Sequence, residues 1–206
     1  RLKEVIGKGY DIICISSNFP PQPNMAFEVA RIAKEVNPGS VIVAGGINAK
    51  NLVSRFMATQ LFDLIALSEG EDTIKEIATR VREGHDLIGI TGTIDNQGKQ
   101  TPAKLTINLD KLPMPAWDKL LFEKYDQIAS PHGVDLTSEG RYAPIMTSRG
   151  CPFKCEYCHI STEKGGIGDL RLKSVKRVLE EIQILKSLGI KKLFIEAGKE
   201  ISYQKH

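Results

Sequence analysis

Four short apolar runs, each closed by small or polar residues, constrain the first half of this chain more than any other feature. They are Asp11–Ser17, Val41–Ala44, Leu64–Leu67 and Leu87–Thr91. Runs of this length bounded by turn residues predict buried strands. The stretches between them carry helical spacing. Met25, Val29, Ile32, Ala33 and Val36 predict a helix, with Asn24 as its cap and Asn37-Pro38-Gly39 as its stop. Leu52, Val53, Phe56 and Met57 predict a second. Ile74, Ile77, Ala78 and Val81 predict a third, with Thr73 and Glu76 as a capping box. Asp95-Asn96-Gln97-Gly98 reads as a turn between short antiparallel strands. Strand and helix alternating over short connections give an open, parallel α/β sheet.

Ligands of such sheets bind beyond the carboxyl ends of the strands. Here those ends are Ser16-Ser17, Gly45-Gly46 and Ser68-Glu69-Gly70-Glu71. All are small or polar, so a bulky ligand has room to approach the backbone. Tight strand–helix turns explain the same glycines without any ligand, and both readings stand at this point.

The segment from Asp110 to Trp117 contains Pro113 and Pro115 and opens a poorly patterned stretch that runs to Arg141. It reads as a linker. The expected layout is therefore an α/β domain over residues 1–109, a linker over 110–141, and a second α/β unit over 142–206. That unit starts with a strand over Ala143–Thr147. A long helix follows, capped by Ser174, ended by Gly189, and bearing Val175, Val178, Leu179, Ile182, Leu185 and Leu188 on one face. Leu193-Phe194-Ile195 is the next strand.

Between the first strand and the helix lies Cys151-Pro152-Phe153-Lys154-Cys155-Glu156-Tyr157-Cys158, a C-x3-C-x2-C triplet. Three thiolates this close suit a soft metal centre. Four cysteines complete a [4Fe-4S] cluster, and three leave one iron open to a substrate or cofactor. Three other readings compete. Cys155-Glu156-Tyr157-Cys158-His159 is formally the c-type haem attachment pattern, but it leaves Cys151 unexplained. Zinc on Cys151, Cys155, Cys158 and His159 requires adjacent residues to reach one ion, against the usual separated pairs. Three unliganded thiols in a charged, glycine-rich segment are prone to oxidation. Cys14 stands apart in an apolar run, so no disulfide framework is indicated. Thiols grouped in this way fit a reducing cytoplasm.

Composition narrows the function classes. The net charge of +3 comes from 28 basic and 25 acidic residues among 206, and no basic stripe interleaved with aromatics marks a nucleic-acid surface. No apolar run approaches the length of a membrane span, and no secretory signal is visible.

The triplet resembles the hallmark of the radical S-adenosylmethionine (SAM) superfamily, including the aromatic Tyr157 before the last cysteine. The lead-in Thr147-Ser148-Arg149-Gly150 and the downstream Arg171, Lys173, Ser174, Val178, Glu181 and Ile182 are similar to one branch of it, the branch with an amino-terminal cobalamin-binding domain. The strand ends in the first half and Leu112-Pro113 to Trp117 match that domain. The resemblance implies a partial Rossmann-like, cobalamin-binding sheet followed by the start of a radical SAM (β/α) partial barrel. It implies that Cys151, Cys155 and Cys158 hold a [4Fe-4S] cluster, that SAM chelates the open iron, and that its cleavage gives a 5′-deoxyadenosyl radical. Cobalamin then serves as methyl carrier for an unactivated carbon, at Ser16, Ser17, Gly45, Gly46, Glu69, Gly70 and Glu71. Tyr157 and Glu196 are implied near the cluster and SAM. Glu196 stands in Glu196-Ala197-Gly198, where the family has an acidic pair. The resemblance also implies an electron donor such as flavodoxin or ferredoxin, and a small-molecule or peptide substrate that nothing here identifies. Radical SAM chemistry without cobalamin, ring formation, and a non-catalytic zinc or iron–sulfur module are the alternatives. Set against the family, the chain reads as a fragment cut at both ends, expected to be inactive alone.

Overall fold

The computed structural model describes residues 2–18, 22–102, 105–125, 140–151 and 170–196. The chain divides into two compact units, Arg1–Thr106 and Ile107–His206. The stretch expected as a linker therefore begins inside the second unit.

The first unit runs α1 (Leu2–Ile6), β1 (Ile12–Ser16), α2 (Gln22–Val36), β2 (Val41–Gly45), α3 (Ile47–Asn51), α4 (Val53–Ala58), β3 (Leu64–Ala66), α5 (Glu71–Glu83) and β4 (Thr93–Asp95). Its sheet has the order β1-β2-β3-β4. The first three strands are parallel, with Ile13 opposite Ile42 and Val43 opposite Leu64. β4 is antiparallel to β3. Both faces are covered, which is why the strand sequences are apolar at nearly every position. Ile15, Ile42, Ala44 and Ile65 face one core with α2 and α4, while Val43 and Leu64 face another with Ile77 of α5 and Ile90. Ala26, Ala30 and Ala33 lie along one face of α2 and are almost fully buried, so small side chains bring that helix close to the sheet. Phe27, Phe56 and Phe62 fill the space beside it, with ring centroids 4.8–6.3 Å apart.

Several expectations need correction. Leu87–Thr91 is not a strand. Gly89 and Gly92 adopt φ of 76° and 74°, which breaks an extended run, and Arg80 donates to the carbonyls of Asp86 and Ile88 instead. Ile90 is still fully buried. The fourth strand is β4, and its antiparallel pairing makes the sheet mixed rather than wholly parallel. Asn24 is not a cap, because α2 begins before it; its side chain accepts from Arg55. Thr73 and Glu76 form no capping box. α5 begins at Glu71 after Gly70, the Thr73 hydroxyl donates to Thr91 O, and Glu76 pairs with Arg80 at 2.6 Å. Among the described residues β1 lies at the edge of the sheet, and Cys14 is exposed where a buried strand was expected. The Asp95–Gly98 turn forms as expected: Asp95 accepts from the amides of Gln97 and Lys99.

The second unit has two short 3₁₀ turns at Leu109–Lys111 and Trp117–Lys119, then α6 (Phe122–Tyr125), β5 (Tyr142–Met146), β6 (Ser148–Arg149), β7 (Arg171–Leu172), α7 (Val175–Ser187) and β8 (Lys192–Glu196). β5 and β8 are parallel, in register from Tyr142–Lys192 to Met146–Glu196. Trp117 and Phe122 pack with Ala143, Leu185 and Ile190. The Ser174 hydroxyl accepts from Arg177 N, so the expected cap is present. The expected apolar face is not wholly buried. Val175 and Leu179 are exposed, whereas Glu181 lies buried on the helix.

Phe56 is fully buried and touches both neighbouring rings. Phe56→Ala should destabilise the first unit by about 3–5 kcal/mol. Denaturant titration checks this, and an unchanged midpoint would contradict the packing described.

Candidate cofactor sites

Parallel pairing places the ends of β1 and β2 and the start of α5 on one edge of the first unit. Ser16 is exposed there, and its hydroxyl accepts from Asn18 Nδ2 at 3.0 Å. Ser17 is fully buried. Its amide donates to Gly45 O, its carbonyl accepts from Asn48 N, and its hydroxyl accepts from Asn48 Nδ2. Ser17 thus joins the two strand ends. Gly46 passes directly over it with φ of 87°; a Cβ would fall 2.6 Å from Ser17 O and 2.5 Å from Asn18 Oδ1. The turn alone is enough to require glycine at this position.

Gly45 and Gly70 differ. A Cβ on either would meet nothing within 4 Å, so crowding within the chain does not demand glycine. Gly70 lies between Glu69 and Glu71 at the start of α5. A cleft of about 130 Å³ opens there, lined by Ser68, Glu69, Glu71, Asp72, Thr73 and Glu76 among others. That is well below the volume of a usual ligand pocket. It admits a small polar group. Glu76 is already engaged by Arg80 and by Thr91 N.

In the second unit, β6 and β7 pair antiparallel, Ser148 with Leu172 and Arg149 with Arg171. The Lys173 amide adds a bond to Thr147 O at 2.9 Å. This short clamp follows the carboxyl end of β5 and closes the base of the cysteine segment. Cys151 emerges from it, partly exposed and not in a disulfide. Glu196 ends β8 opposite Met146, so its backbone reaches the same edge. Cys155, Tyr157, Cys158 and His159 lie outside the described residues. Among the described residues no three His, Cys, Asp or Glu side chains gather to hold a metal. The donor chemistry fits an iron–sulfur cluster all the same, since three thiols lie within eight residues.

Contacts that the sequence did not reveal hold this edge in place. Glu181 is 1% exposed; it accepts from Trp117 Nε1 at 3.1 Å and from Lys173 Nζ at 2.6 Å. Asp110 accepts from Ser174 N, and its bonds with Ser174 hold its carboxyl below the usual range. Arg177 donates to Leu112 O. A charged residue at an apolar helix position was the available signal for Glu181. For Asn18 and Asn48 there was none beyond their nearness to the strand ends.

No family model matches the chain. It is 36% identical to an uncharacterized methyltransferase of Pyrococcus horikoshii, over 82% of this chain and 35% of the relative. It is 31% identical to an anaerobic magnesium-protoporphyrin IX monomethyl ester cyclase of Rubrivivax gelatinosus, over 82% of this chain and 30% of that enzyme. It is 28% identical to the cobalamin-dependent radical SAM methyltransferase TokK of Streptomyces tokunonensis, over 88% and 26%. The chain therefore spans about a third or less of the length of these relatives. Among solved structures, the radical SAM methyltransferase TsrM of Kitasatospora setae, with cobalamin and a [4Fe-4S] cluster bound, matches at a TM-score of 0.68 and 20% identity, over 96% of this chain and 39% of that one. The shared fold is a Rossmann-like α/β sheet followed by the opening strand–helix–strand unit of a partial (β/α) barrel.

Gly46→Ala should destabilise the first unit by more than about 1 kcal/mol, because a side chain is strained at this φ and clashes with Ser17. Gly45→Ala should be tolerated. Equal unfolding midpoints for the two variants would contradict the crossing described.

Proposed function

We propose that this chain, a relative of the cobalamin-dependent radical SAM methyltransferases, is the cofactor-holding part of a radical SAM methyltransferase acting on an unactivated carbon. The carrying observation is the position of Cys151, first of three closely spaced cysteines, just beyond the carboxyl end of a strand in a strand–helix–strand unit. Ligands of such sheets gather at that edge.

In this reading Cys151, Cys155 and Cys158 hold three irons of a [4Fe-4S] cluster and leave the fourth to SAM. A cluster held there would supply the electron for reductive cleavage of SAM. The protein's own work is to bind, orient and exclude water. Glu196, at the same edge as Cys151, is the residue we assign to the SAM amino group, with Tyr157 beside the cluster. In the first unit Gly45 and Gly70 leave open space at the strand ends, and we assign that space to cobalamin as methyl carrier. Ser16, Glu69 and Glu71 border it. Ser17 builds the edge rather than touches the cofactor, since it is buried; Gly46, packed over Ser17 on its Cβ side but exposed at its backbone, borders the space with Gly45 and Gly70.

The chain alone is proposed to load the cluster without turning over substrate. An electron donor of the flavodoxin or ferredoxin type is part of the proposal. A cytoplasmic setting follows from the grouped thiols, which persist under reducing conditions. No helix among the described residues is long and apolar enough to cross a membrane. The 31%-identical cyclase favours a second reading on the same cofactors, in which the radical leads to ring formation.

Anaerobic reconstitution with iron and sulfide tests the proposal. About four irons per chain and a reduced-state EPR signal that shifts on adding SAM are expected, with the cluster lost in Cys155→Ala. One tightly bound zinc and no cluster would overturn the reading.

A further inference from the structure

We infer that Glu181 is a positioning residue for Cys151, acting through Lys173; the inference rests on the reading of Cys151 as a cluster ligand. The clamp that presents Cys151 is very short. Two residue pairs and one further bond, from Lys173 N to Thr147 O, hold β6 to β7. An isolated two-stranded ladder is marginal in water even when longer. Something outside the ladder must hold the returning strand.

One such anchor among the described residues is the side chain next to it, Lys173. Lys173 directly follows β7, and its side chain is only 13% exposed. Its ammonium donates to Glu181 Oε2 at 2.6 Å. The other carboxylate oxygen accepts from Trp117 Nε1, so both oxygens of Glu181 are engaged. Glu181 therefore ties the end of the clamp to the middle of α7 and to the Trp117 segment at once. The neighbouring bonds from Ser174 N to Asp110 and from Arg177 to Leu112 O hold the start of α7 against the same segment. Lys173 is thereby fixed on both sides, and through its amide so is Thr147, four residues before Cys151.

A buried ion pair is seldom the most stabilising choice, because desolvation offsets the attraction; apolar residues of similar size often do as well or better. What the pair supplies is a defined distance and direction. That separates positioning from plain stabilisation and gives the experiment its form. Three chains are compared after anaerobic reconstitution: the parent, Glu181→Gln, and the double variant Lys173→Met/Glu181→Gln. The readings are the rate at which a chelator strips iron, the EPR line shape of the reduced state, and the unfolding midpoint of the metal-free chain by circular dichroism. Alkylation of Cys151 in the metal-free chain, followed by mass spectrometry, gives a reading that needs no cluster.

Glu181→Gln should speed iron loss at least about tenfold, in line with the effect of altering residues that orient metal ligands, and should change the line shape. The double variant should regain the unfolding midpoint but not the iron retention. Cys151 should alkylate at an altered rate in both variants. Recovery of stability and retention together in the double variant would overturn the inference, as would parent-like retention in Glu181→Gln. If Glu181→Gln does not fold, the double variant decides. If the parent takes up no cluster, the functional reading falls, and unaltered Cys151 alkylation would dispose of this inference separately.

Discussion

Parallel pairing of neighbouring strands is the constraint on which the rest depends. Two parallel strands need a crossover connection, and that connection must return along the sheet before the next strand can begin. All loops that leave the carboxyl ends then emerge on one edge. The register of β1 with β2 puts Ser16 beside Gly45, and the register of β5 with β8 puts Met146 beside Glu196. Residues about 30 apart in the first unit and 50 apart in the second come together for that reason alone.

Each edge then solves a local problem of its own. In the first unit two strand ends cross so closely that one must lack a side chain, and Gly46 fills that role over the Ser17 carbonyl. Asn18 and Asn48 satisfy the polar groups that the crossing leaves behind. In the second unit the chain runs out through β6 and comes back as β7, joined by two residue pairs. A short ladder cannot hold it alone, and a carboxylate on the buried side of α7 takes up the load. Buried charge is costly unless it is paired and hydrogen-bonded, and Glu181 meets both conditions.

Much of this was legible in the residues. The strands of the first unit, the helices between them and the Ser174 cap follow from apolar spacing and capping chemistry. The misreadings share a cause. Leu87–Thr91 has strand composition, but two glycines at positive φ and the reach of Arg80 decide its path. Thr73 and Glu76 have the spacing of a capping box, but Thr91 in the following loop claims the first side chain and Arg80, one turn along the same helix, the second. The proline-rich stretch after Asp110 has no periodicity to read, yet Trp117 and Phe122 pack in the core of the second unit. Its order depends on contacts made more than sixty residues later, through Ser174, Arg177 and Glu181. Glu181 could be read as part of a family-like motif and as a charge on an apolar helix face, but its partners Trp117 and Lys173 appear only in the fold.

The central claim is that the carboxyl edge of the first unit receives cobalamin. Amide hydrogen exchange with and without hydroxocobalamin tests it most directly. The account predicts slowed exchange in the segments around Ser16–Asn18, Gly45–Asn48 and Glu69–Thr73, with the amino ends of the same strands, near Asp11 and Ser40, unchanged. Protection at the amino ends, or none at the carboxyl ends while cobalamin is bound, would contradict it.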